Sequence, residues 1–144
     1  MPLGRTTRQN ILDYIMNGTA LAGAHTGGGT YWVTLHTASP GVDGQTSNEV
    51  GGGVGYAAQA TTNTNWGAAS SAEPSVVSNG AAVLFGPASG AGFGTVTHYA
   101  FWDHATNRAA ANFLGSEALT GGSETVAAGD SLNFPIGSLT VSLA

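Results

Sequence analysis

The chain contains no cysteine and no lysine, and its only permanent cations are Arg5, Arg8 and Arg108. Without cysteine, disulfides and thiolate metal sites are excluded and the redox compartment is not legible. Eight acids against three arginines leave a formal net charge of −5. That is the wrong sign for gripping a phosphate backbone, so no nucleic-acid partner is expected. Charged residues make up 8% of the 144, against roughly 25% in an ordinary soluble domain. No apolar run approaches the roughly 18 residues of a membrane span, so no membrane partner is expected. The basic start MPLGRTTRQN leads into no signal-peptide core, and the expectation is a protein made in a cytoplasm. No period of 20–50 residues recurs, which argues against a solenoid or propeller.

Gly, Ala, Ser, Thr and Asn fill the space that charge leaves. Disorder does not follow, because aromatic and β-branched residues fall in alternating runs that low-complexity chains lack. Two compatible accounts of the charge deficit stay open. One is biased codon usage; the other is a surface largely covered in an assembly, where charges are costly to desolvate. The length predicts one domain, residues 1–144, with a single core.

Residues 94–117, GTVTHYAFWDHATNRAAANFLGSE, are the stretch around which the rest is expected to be built. A strand over 95–103 would send Val96, His98, Ala100 and Trp102 to one face and Thr97, Tyr99 and Phe101 to the other. Rings on both faces mark a central strand, and a second strand over 109–114 would follow the turn residues 103–108. Earlier, YWVTLH at 31–36 alternates as a strand. Residues 45–55 form a glycine-rich loop bearing Glu49, residues 56–61 a short strand, and Trp66 sits in a polar stretch before Pro74. Runs 76–78 and 81–85 flank Asn79-Gly80, the strongest short-range hairpin signal in the chain. Residues 124–127, then Leu132, Phe134 and Ile136, then Leu139, Val141 and Leu143 complete the strands. A helix is expected over 7–17, capped by Thr6 or Thr7 and ended by Gly18. Its apolar stripe of Ile11, Leu12, Ile15 and Met16 needs a surface, either its own sheet or a neighbouring subunit. Eight to ten short strands and one helix predict an all-β fold, an antiparallel, jelly-roll-like β-sandwich over 30–144.

The histidines invite a metal reading, since His36 and His98 could meet across a sheet near Asp103 or His104, but no HxH or HxxxH spacing sets a ligand pair. No G-x-S-x-G elbow singles out a serine, Asp103, Glu117 and Glu124 stand as isolated acids, and the GGG of 27–29 lacks the Lys-Ser/Thr of a phosphate loop. No enzyme, metal or cofactor is therefore expected. The aromatics Tyr31, Trp32, Trp66, Tyr99, Phe101 and Trp102 could line a sugar-binding face, or serve as core and interface. Of these, Trp32, Tyr99, Phe101 and Trp102 are the candidate core or interface residues. Arg5, Arg8, Ile11, Leu12, Ile15 and Met16 are the candidate contacts to a neighbouring subunit.

Five segments carry a resemblance: RQNILDYIMNG near the N-terminus, Y-x-V-x-L-H-T-A-x-P at 31–40, the N-E-V-x-G-x-x-Y-A-x-Q-like stretch at 48–59, GTVTHYAFWD at 94–103 and AGDSLNFxxGSLTV at 128–141. On these the chain resembles small virion proteins of tailed bacteriophages, commonly labelled tail-fibre proteins, a group that includes jelly-roll capsid cement proteins. The resemblance implies no catalytic residue. It implies a capsid cement protein on the outer face of the virion head, made in the bacterial host and bound to the major capsid protein and to itself as a dimer or trimer. The alternative is a tail or fibre module that binds a host receptor or glycan. Missing heptads and a missing repetitive shaft favour the head over the tail.

Overall fold

A computed structural model describes residues 3–7, 9, 11, 29–71 and 75–143. Its regular structure is mainly ten strands: β1 (Thr30–His36), β2 (Gln59–Thr62), β3 (Ser75–Ser78), β4 (Val83–Phe85), β5 (Gly94–Val96), β6 (His98–Trp102), β7 (Phe113–Ala118), β8 (Glu124–Val126), β9 (Leu132–Phe134) and β10 (Thr140–Leu143). All pairings are antiparallel. One four-stranded sheet runs β2-β1-β6-β7, and three ribbons, β3 with β10, β4 with β9 and β5 with β8, lie against it. The fold is an all-β sandwich with very little helix, as the alternation predicts.

The pair β1–β6 explains why two layers form. Val33 and Leu35 on β1 and Tyr99 and Phe101 on β6 face one way and are buried against Val83, Phe85, Val96, Val126, Leu132, Phe134 and Leu139. Thr34, His36, Ala100 and Trp102 are also fully buried, and of these Ala100 and Trp102 form a second small core with Phe113 under half-buried Trp32. Rings interlock edge to face, Tyr99 on Phe134 and Phe85 on Phe134, with centroids 5.6 and 6.0 Å apart. On the second face the loop after β1 comes so close that a Cβ at Gly44, where φ is +69°, would lie 2.5 Å from the Phe113 ring. Only glycine meets both demands.

Four local expectations fail. The run 95–103 is not one strand: β5 pairs with β8, and β6 with β1 and β7. The alternation slips at Thr97, so Val96 joins the core of Tyr99 and Phe101 rather than that of Ala100 and Trp102. Asn79-Gly80 is no hairpin, because β3 pairs with β10 and β4 with β9. Competition from better partners elsewhere in the sheet overrides the local turn signal. The strand expected at 109–114 starts later, after a 3₁₀ turn at Ala110–Asn112. Of the helix expected over 7–17, positions 7, 9 and 11 are described and helical, and so already are Arg5 and Thr6, so Thr7 is inside the helix and not its cap. Leu12–Asn17 lie outside the described residues.

Phe101 and Trp102 are 2% and 0% exposed, on opposite faces of one strand. Each truncation to Ala should therefore cost folding stability, by about 3–5 kcal/mol. Urea titration of the two variants checks this, and a near-wild-type midpoint for either one would contradict the two-core arrangement.

Candidate functional site

Of the six residues singled out as contacts to a neighbouring subunit, Arg5 and Ile11 are among the described residues. Arg5 is exposed and lies 3.4 Å from Asp43, both side chains about half in solvent, where an ion pair contributes little. Ile11 is half-buried, while Arg8, Leu12, Ile15 and Met16 lie outside the described residues. Tyr99, Phe101 and Trp102 are spent on the chain's own cores, and Trp32 covers the second of them. The start of the chain is tied down on the outer edge of the sheet. Gly4 N donates to Leu114 O at 2.8 Å, Arg5 N to Val42 O at 3.0 Å, and Thr7 Oγ1 to Phe113 O at 2.9 Å.

An apolar groove of about 340 Å³ opens between the main sheet and the β3–β10 ribbon. Tyr31, Trp66, Phe101 and Leu114 line it with Val77 and Val141 from the ribbon, and Asn63 supplies an amide. The tight 3₁₀ turn at Asn63–Asn65 aims Trp66 inward, and Trp66 then bridges to Asn79. Its ring packs edge-on against Phe101 at 5.2 Å, and its Nε1 donates to Thr61 Oγ1 at 3.2 Å. With its indole nitrogen occupied, the ring offers the groove carbon surface rather than a donor. Such a wall suits apolar side chains or the C–H face of a sugar ring.

A polar cluster sits on the other side of β1. Beyond Val33, β1 has no partner in β2, and residues 48–56 cover this edge instead. Val50 N donates to Leu35 O at 2.9 Å, and Leu35 N donates to the Tyr56 hydroxyl at 3.0 Å. That hydroxyl donates in turn to Glu49 Oε1 at 3.1 Å. Glu49 Oε2 accepts from Arg108 Nε at 3.3 Å, and both side chains are less than a fifth exposed. The Arg108 guanidinium lies 5.3 Å over the Trp102 ring and donates to His104 O at 2.6 Å. Burial, then the Glu49 charge, pushes the Tyr56 hydroxyl well above the usual phenol range, so it stays a donor. The cluster is a clamp holding the 49–56 and 103–108 loops together. An open cleft of about 410 Å³ lies beside it, bordered by Gly52 and Thr106. Reading 103–108 only as a turn missed Arg108; the N-E-V-x-G-x-x-Y-like stretch containing Glu49 and Tyr56 was the one available signal.

The two strand histidines do meet, His36 opposite His98. Among the described residues, however, no group of three His, Asp or Glu side chains converges as a metal site would require. His36 is fully buried. Its Nε2 shares a 2.8 Å hydrogen bond with Thr34 Oγ1, which also accepts from Trp102 Nε1 at 2.9 Å. Nδ1 has no partner. Burial first, then the nearby Arg108 and His98 charges, lowers the His36 pKa to about 4.

Two predictions follow from these groups. Between pH 6.5 and about 4 the unfolded chain takes up a proton at His36 that the folded chain refuses. Stability should thus be intact above pH 6.5 and fall as the pH drops toward 4, by about 3 kcal/mol in all. Replacing His36 by Gln should flatten that slope in melts run across the same range; an unchanged slope would mean other groups dominate. Separately, Tyr56→Phe strands the Leu35 N–H and one Glu49 oxygen. It should cost about 1–3 kcal/mol in urea unfolding, and a neutral result would show that the clamp contributes nothing.

Comparison with known families matches the chain to the family described as podophage GP4 fiber I protein gp80, over residues 2–142. A search of curated proteins found no match.

Proposed function

The chain belongs to the podophage GP4 fiber I protein gp80 family and is a structural protein of a phage virion; we propose that it serves in the tail-fibre apparatus, acting by surface contact and not by catalysis. The family match along nearly the whole chain carries this reading. The fold supports it: the polar groups are tied to one another as a clamp, and the groove beside Trp66 offers an apolar, ring-lined contact face. Groove contact with a host-surface receptor or glycan follows the same chemistry, with ring faces stacking on C–H surfaces and the Asn63 amide supplying polarity. Few charges surround it, so binding should tolerate salt.

A head-decorating role is the second reading, in which the sandwich would bind the major capsid protein and further copies of itself. The observation in its favour is the small sandwich without heptads or a repetitive shaft.

Gold-labelled antibody on intact virions separates the two. Label on the tail supports the fibre reading, and label over the head would replace it with the decoration reading. For the groove, Trp66→Ala should weaken adsorption of the purified protein to host cells by about tenfold, the loss typical of an aromatic anchor. Circular dichroism must show the variant folded, and unchanged adsorption by a folded variant would remove the groove from the contact.

A further inference from the structure

Asn79-Gly80 does not form the hairpin that its sequence suggests, and the fold uses it in another way. It lies where the chain leaves β3 for β4, at a junction that also gathers the 65–67 turn and the 135–139 link between β9 and β10. Asn79 is 2% exposed. Its Nδ2 donates to Ala81 O at 2.8 Å and Pro135 O at 2.9 Å, and its Oδ1 accepts from Leu139 N at 2.8 Å. Its backbone N donates to Leu139 O at 3.0 Å, and its carbonyl accepts from Gly137 N at 2.8 Å. Gly80 N donates to Asn65 O at 2.7 Å.

Those are the atoms of a known side reaction. In an unrestrained Asn-Gly pair the glycine nitrogen attacks the asparagine Cγ, loses its proton and expels ammonia, closing a succinimide ring. Water then opens the ring at either carbonyl, leaving Asp or the β-linked isoaspartate. Glycine favours the attack because no Cβ hinders the nitrogen or restricts the backbone. In the folded chain the attacking N–H is occupied by Asn65, and the amide is fixed by three hydrogen bonds away from bulk water.

We propose that Asn79-Gly80 is a conformationally gated deamidation site, inert while the junction is closed and reactive when it opens, whose product locks the chain out of the native fold. The lock follows from donor chemistry. A carboxylate at position 79 has only acceptors, yet it would have to face the Ala81 and Pro135 carbonyl oxygens that now receive the Nδ2 hydrogens. An isoaspartate adds a backbone atom at a position bonded to Leu139 and Gly137 on both sides. Because Trp66 bridges to Asn79, the reaction also releases one wall of the groove. The inference does not depend on the fibre reading.

The test incubates the full-length chain at mildly alkaline pH, folded or in urea, and maps the peptides. The second Asn-Gly pair, Asn17-Gly18, lies outside the described residues and falls in a separate peptide once the chain is cleaved after Glu49. Position 79 should convert at least about 100-fold faster unfolded than folded, the ratio tracking the opening equilibrium. Gly80→Ala is the control, since its added Cβ would come no nearer than 3.7 Å to Asn65 O and needs no left-handed backbone. It should slow the reaction in urea and leave melting unchanged. Asn79→Asp should melt at least about 5 °C lower, and failure to fold would equally support the lock. Equal rates at position 79 in folded and unfolded chains would overturn the gating, and wild-type melting of Asn79→Asp would overturn the lock.

Discussion

The pairing of β1 with β6 is the constraint on which the other parts depend. Both strands carry large or β-branched side chains on both faces, with Trp32 opposite Trp102 and Leu35 opposite Tyr99. A strand pair of that kind is costly to leave wet on either side, so each face must find a cover. The three ribbons cover one face. Trp32 and Phe113 cover the other, together with a loop that passes at Gly44 close enough to touch both Phe113 and Trp102. Burying that second face takes Thr34 and His36 inside with it, which is why a hydroxyl, an imidazole and an indole share one short chain of hydrogen bonds.

Covering the faces leaves the edges of the sheet. On β7 the start of the chain adds a bridge at Leu3 and two hydrogen bonds, to Leu114 O and Phe113 O. On β1 the 48–50 segment and the Tyr56 hydroxyl take up the backbone groups that β2 does not reach, and Arg108 draws the 103–108 loop over them. These measures blunt the exposed ladder groups that would otherwise invite pairing with another chain. In this virion protein the β7 edge and the part of β1 that β2 does not reach are thereby closed to strand addition. The side-chain surface left open includes the apolar groove between sheet and ribbon.

Much of this was legible before any coordinates. Alternation in YWVTLH, ETV, LNF and TVSL marked β1, β8, β9 and β10 within a residue or two, and the count of short alternating runs beside one helical stripe pointed to an all-β sandwich. Period-2 alternation is a property of the extended chain itself: neighbouring side chains must point to opposite faces, so burial of one face writes a pattern into the residues. The same rule let the eye run β5 into β6, because the slip at Thr97 changes no residue type and only the partners of each half reveal it. Asn79-Gly80 carried a true local preference, but a preference worth so little yields to two ribbons that each pair with a strand more than forty residues away. The Glu49–Arg108 pair spans 59 residues and the groove collects side chains from Leu3 to Val141. Strand character was determined by local chain geometry, whereas pairing, the clamp and the groove were decided only when distant segments closed on one another, since burial is shared among all the strands at once and no single stretch records it.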